Sequence, residues 1–166
     1  MALKCVRLCS GDERWGAPNT EKAMNRPDAR ILLVDDIALS RVSTHQALRS
    51  LGFRLIEEAA SGAEALALLA ATPFDLVISN WRLADLGGRD LLRAIRKTPG
   101  GANTPVVVVT PVTAEVVSEA AETGVSAFLP RPIASQPLDD VLRVFIGGPA
   151  GRRSSRQAWT AVEGEP

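Results

Sequence analysis

Short, unbroken apolar runs alternate with stretches of helical periodicity through the middle of this chain, and that alternation constrains its fold more than any other feature. Ile31 to Val34, Leu76 to Ser79 and Val106 to Thr110 are almost wholly apolar, as strands buried on both faces must be. Between them, Thr44, Ala47, Leu48 and Leu51 recur at helical spacing until Gly52, then Ala65, Leu66 and Leu69, then Gly88, Leu91, Leu92 and Ile95. Leu55 to Ala59 reads as a weaker, mixed strand. Ala114, Val117 and Ala121 mark a fourth helix closed by Gly124, Ala127 to Leu129 a last strand, and Leu138, Val141, Leu142 and Phe145 a last helix. Five strand–helix pairs in this order predict an α/β domain with a doubly wound, five-stranded parallel sheet covered on both sides.

The 166 residues, 46% of them apolar, suffice for one core and not for two. Residues 1–29 are expected to be a flexible leader, 30–146 the compact domain, and 147–166 a second tail, because Gly147, Gly148, Pro149 and Gly151 end the periodicity. Lys plus Arg and Asp plus Glu are balanced at 19 each, so no global field points to nucleic acid or membrane. Cys5, Cys9 and the single histidine, His45, are too scattered for a zinc site. No signal-like or membrane-spanning apolar run is present at the N-terminus, and a cytoplasmic protein with reduced thiols is expected. Trp15 stands alone in the leader and reads as an ordinary tail residue; His45 falls beside the apolar face of its helix and is expected to be solvated.

In an open parallel sheet the functional crevice lies beyond the carboxyl ends of the strands, where the strand order reverses. Asp35 and Asp36 end the first strand, Asn80 the third and Thr110 the fourth, and Arg131 with Pro132 follows the fifth. These polar groups are predicted to converge on one edge.

That constellation resembles the receiver domain of bacterial response regulators, over roughly Arg30 to Ile146, and the run from Val77 to Arg96 is especially CheY-like. The resemblance implies a flavodoxin-like (βα)5 fold. In the family, the acidic pair after strand one holds Mg²⁺, an aspartate after strand three accepts a phosphoryl group, a hydroxyl after strand four binds it, and a lysine preceding a proline contacts it. Asp35 and Asp36, Thr110 and Pro132 match that pattern; Asn80 stands at the acceptor and Arg131 at the lysine. An amide oxygen carries no formal charge and leaves no product comparable to an acyl phosphate, so phosphotransfer at residue 80 is not expected and the chain is read as a non-enzyme. With the third carboxylate missing, no metal is expected, and Arg131 is predicted to compensate Asp35 and Asp36 with a bidentate salt bridge, Arg82 adding charge beside the site. Trp81, which adjoins the pocket, and Phe128, on strand five where the family often has an aromatic switch, are read as space-filling residues.

The second tail carries Arg152, Arg153, Ser155, Arg156 and Trp159: guanidinium forks for phosphates or guanine edges, and an indole for stacking. By composition alone it reads as a solvated end. A CheY-like receiver followed by a short arginine-rich extension, however, resembles the Cle group of CheY-like effectors. That resemblance implies cyclic di-GMP as ligand, including its self-intercalated dimer, and a protein target such as the flagellar motor switch, with neither membrane nor DNA as partner. Ordering some ten residues costs on the order of 10 to 20 kcal/mol. Charge-assisted hydrogen bonds of about 1.5 to 3 kcal/mol each and stacking of about 1 to 3 kcal/mol per base can offset this when the ligand offers two guanines and two phosphates. A pseudo-receiver with no nucleotide ligand, a conventional phosphorylated receiver and a general nucleic-acid contact are the competing readings.

Overall fold

A computed structural model of the chain describes residues 26–146 apart from Val112; residues 1–25, with Cys5, Cys9 and Trp15, and the tail with Arg152, Arg153, Ser155, Arg156 and Trp159 lie outside the described residues. After a 3-10 turn at Arg26–Asp28, five strand–helix pairs follow in order: β1 Arg30–Val34, α1 Ala38–Ser50, β2 Leu55–Ala59, α2 Gly62–Ala71, β3 Leu76–Asn80, α3 Gly88–Lys97, β4 Val106–Val109, α4 Ala114–Ala121, β5 Ala127–Leu129 and α5 Ser135–Ile146. All strand pairings are parallel, in the order β2-β1-β3-β4-β5. The order reverses between β1 and β3, which places a crevice above their carboxyl ends.

Side chains alternate across each strand and feed two separate cores. Leu32 and Val34, Val77, Val106 and Val108, and Phe128 point to the side covered by α2, α3 and α4, where Ala65, Leu69, Leu91, Leu92, Ile95 and Ala120 meet them. Ile31, Leu33, Ile78, Val107, Val109 and Leu129 face α1 and α5, packing on Leu48, Leu138, Val141 and Leu142. Each such Leu or Ile contributes about 1.5 to 3 kcal/mol by leaving water. The weak apolar signal of β2 has its cause in position, since it is an edge strand and Leu55 is 43% exposed.

One detail differs from expectation. Ala29, placed in the leader by composition, is fully buried beside Phe53 and Ile146. The side chains of Ala114, Val117 and Ala121, the stripe read on α4, lie outside the described ones; the buried positions described on that helix are Val116 and Ala120. Glycine at the start of α3 is obligatory on steric grounds: a Cβ on Gly88 would come within 2.4 Å of the Trp81 ring and 2.5 Å of the Trp81 carbonyl oxygen, to which the Gly88 amide donates at 2.8 Å.

Helix α5 leaves the pocket edge after β5 and runs back along the sheet, so that Ile146 joins Ala29, at the amino end of β1, in the same core. Arg96 fastens this far edge. Its guanidinium donates to the carbonyls of Gly101 (2.8 Å), Thr104 (2.7 Å) and Gly124 (3.0 Å), tying together the end of α3, the loop before β4 and the turn before β5. Burial pushes its pKa below the ordinary arginine value.

Candidate functional site

The parallel register brings the polar residues to one edge. Asp35 and Asp36 follow β1, Asn80 is the last residue of β3, Thr110 follows β4, and Arg131 is joined to Pro132 by a cis peptide bond after β5.

Asp35 is 3% exposed and its carboxylate is well supplied with donors. Oδ1 accepts from the Ile37 amide at 2.9 Å. Oδ2 accepts from Ser40 Oγ at 2.6 Å and from Arg131 Nη2 at 2.8 Å. The other nitrogen of the guanidinium, Nη1, donates to Ser40 Oγ. The ion pair joins residues 96 apart in sequence, so it pins the segment after β5 to the end of β1, and the bond to Ser40 adds the first turn of α1.

The expected bidentate clasp on both carboxylates is thus not what forms. Ser40, in the first turn of α1, donates to Asp35 and accepts from the arginine, so the fork divides between its hydroxyl and Asp35. Asp36 is served by Asn80, whose Nδ2 donates to Asp36 Oδ1 at 3.3 Å and, at 2.8 Å, to the carbonyl of Arg82. The Arg82 side chain is exposed, and it is the residue's backbone that enters the pocket. Thr110 is buried at the same edge and its hydroxyl donates to the Pro111 carbonyl at 3.3 Å.

The chemistry available follows from these donors. At the carboxyl end of β3 an amide presents N–H groups to two oxygens, where a nucleophile would need to present a lone pair. A hard divalent cation, the cofactor the resemblance implies, needs those oxygens for itself, and an N–H cannot ligate it. The residues present do not fit Mg²⁺, and among the described residues no group of three His, Cys, Asp or Glu could hold a metal ion.

Beyond the pocket, a second polar network escaped the sequence reading. Arg41 Nη1 donates to the Asp35 carbonyl at 2.5 Å and Nε to Glu58 Oε2 at 3.0 Å, while Glu58 Oε1 lies 2.5 Å from His45 Nδ1. His45 is therefore paired and half-buried rather than solvated, because the edge strand β2 brings Glu58 alongside α1. On the other flank, Asp85 in the loop after β3 accepts from the Gly62 and Ala63 amides at 2.9 Å each, which lowers its carboxyl pKa. Ser61 Oγ accepts from the Glu64 amide at 3.1 Å and Glu64 accepts from the Ala60 amide at 2.8 Å, so the start of α2 is closed by its N-cap and by Glu64 as well as by Asp85. Trp81 and Phe128 are 4% and 5% exposed, both as core residues.

An open sheet of this order, with an acidic pair, a hydroxyl and a cation gathered at the switch point, defines a receiver-type signalling domain. Residues 31–143 match the family described as Response regulator receiver domain, and the chain belongs to that family. It is 33% identical over 122 residues to the chemotaxis protein CheY-3 of Vibrio cholerae, covering 73% of this chain and 94% of that protein. To the chemotaxis protein CheY of Pseudomonas aeruginosa it is 35% identical over 112 residues, covering 67% and 90%. Among solved structures, CheY4 of Vibrio cholerae superposes with a TM-score of 0.65 at 30% identity, over 70% of this chain and 98% of that one. The receiver domain of the sensor histidine kinase PA1611 from Pseudomonas aeruginosa, solved with magnesium in its active-site cleft, gives 0.67 at 27% identity, over 72% and 98%. Domains of this class are typically signalling modules rather than enzymes. Among the described residues no helix is long and apolar enough to cross a membrane.

Proposed function

We propose that this chain is a CheY-like signalling adaptor that works without phosphotransfer: it captures cyclic di-GMP with its tail and then engages a protein target such as the flagellar motor switch. The observation that carries the first half is Asn80, whose amide spends its N–H groups on Asp36 and the Arg82 carbonyl at the position where an acceptor carboxylate would stand. A signal must then enter elsewhere. The tail offers Arg152, Arg153 and Arg156 as forks, Ser155 as a further donor and Trp159 as a stacking surface, and ordering around the ligand is the expected response. Names of the relatives, chemotaxis proteins both, favour a role in motility and a cytoplasmic location with recruitment to the motor.

Titration calorimetry of the full chain with cyclic di-GMP tests this reading. Saturable binding that Arg153→Ala together with Arg156→Ala abolishes is the expected result; no heat of binding with the unaltered chain removes the ligand from the proposal. A general nucleic-acid contact would instead accept a short unrelated oligonucleotide and weaken steeply with salt as counterions are released. Incubation with a small phosphodonor is expected to leave no acid-labile label, and recovery of such an adduct on the unmodified protein would overturn the premise.

A further inference from the structure

We infer that Arg131 is the resident cation of the pocket, so that Asn80 is only one of two independent blocks to divalent-ion binding. Restoring a carboxylate at residue 80 alone leaves the pocket closed to metal.

Two separate groups of contacts carry this. The first belongs to Asn80: its amide N–H groups engage Asp36 Oδ1 and the Arg82 carbonyl, and replacing the amide by a carboxylate releases both oxygens. The second does not involve Asn80 at all. Asp35 is closed by Ile37 on one oxygen and by Ser40 and Arg131 on the other, three donors for a group that accepts about four. Its side chain is 4% exposed, so solvent offers no alternative approach.

The arrangement is a closed ring. Ser40 Oγ donates to Asp35 while accepting from Arg131, and Arg131 donates to both. A planar guanidinium presents two parallel N–H vectors at the spacing these two oxygens require; an ammonium is a point charge with rotatable donors and cannot hold both in the same plane. An incoming divalent ion would have to displace a positive charge covalently tethered beside the carboxylate, while stripping its own tightly held water.

The test compares MnCl2 binding by calorimetry in three full-length variants: Asn80→Asp, Asn80→Asp with Arg131→Lys, and Asn80→Asp with Arg131→Gln. Far-UV circular dichroism checks that each is folded. The variants altered at both positions are expected to bind Mn²⁺ at least about tenfold more tightly than Asn80→Asp alone, equivalent to about 1.4 kcal/mol. Binding by Asn80→Asp alone that comes within that margin of either folded double variant overturns the inference, as does absence of binding in every variant. Should the lysine variant fail to fold, the glutamine variant decides by the same comparison. None of these outcomes depends on whether the tail binds a nucleotide.

Discussion

Replacing Arg131 by methionine should cost the domain about 2 kcal/mol, and the contacts themselves set that figure. The 2.8 Å bond joins a carboxylate whose side chain is 4% exposed to a guanidinium that is 25% exposed, which lies between two known limits. A fully exposed ion pair contributes about 0 to 1 kcal/mol, and stranding a fully buried charge costs about 3 to 5 kcal/mol. Asp35 would keep the Ile37 amide and the Ser40 hydroxyl, so it is not stranded; of the two guanidinium bonds lost, the one to half-buried Ser40 is open to replacement by water, and the charge-assisted one to Asp35, about 1.5 to 3 kcal/mol, dominates. With a urea slope of about 1 to 3 kcal/mol per molar, the midpoint falls by roughly 1 M. A double-mutant cycle with Asp35→Asn isolates the pair, and a coupling energy of about 1 to 2 kcal/mol is expected. Coupling within about 0.5 kcal/mol of zero, which is the ordinary scatter between independent sites, would show that the two residues are neighbours without being partners.

Gly88→Ala should lower stability by about 1 to 3 kcal/mol, since the added methyl meets the Trp81 ring and backbone with nowhere to go, and thermal unfolding measures it. Arg96→Ala leaves three carbonyls without their shared donor; the expected loss is about 2 to 4 kcal/mol by urea denaturation, and a loss below about 1 kcal/mol would mean that water replaces the guanidinium fully. For Asp85 the folded-state pKa lies below the 3.8 of an unperturbed carboxyl, so its contribution is present above that value and is lost as pH falls through the lowered one. Asp85→Ala should therefore be less stable than the parent at neutral pH, with the deficit shrinking at pH values below about 3.8; a deficit that stays constant into acid would assign the effect to packing instead of charge.

Much of the architecture was legible because burial on both faces leaves a direct imprint. Val106 to Val109 has no polar residue because β4 has no solvent side, and Thr44 and Leu48 recur as they do because α1 rests on β1. The pocket was legible for a related reason: in a parallel sheet, the residue that ends each apolar run is delivered to the same edge. What escaped was set by distances that periodicity does not encode. Asp85 closes a helix that begins 23 residues earlier, and Glu58 meets His45 only because an edge strand lies beside α1. Ser40 could have been found, five residues after Asp35 and within the first helical turn, where a hydroxyl can turn back to a strand end.

Twelve residues of α5 span about 18 Å, and they carry the chain from the rim where Asn80 sits to the opposite rim, beside Ala29. Whatever is appended after Ile146 therefore grows from the pole farthest from the altered pocket. Changes at one pole need not disturb the other, and a domain laid out in this way can lose an old input and acquire a new one without rebuilding the layers between them.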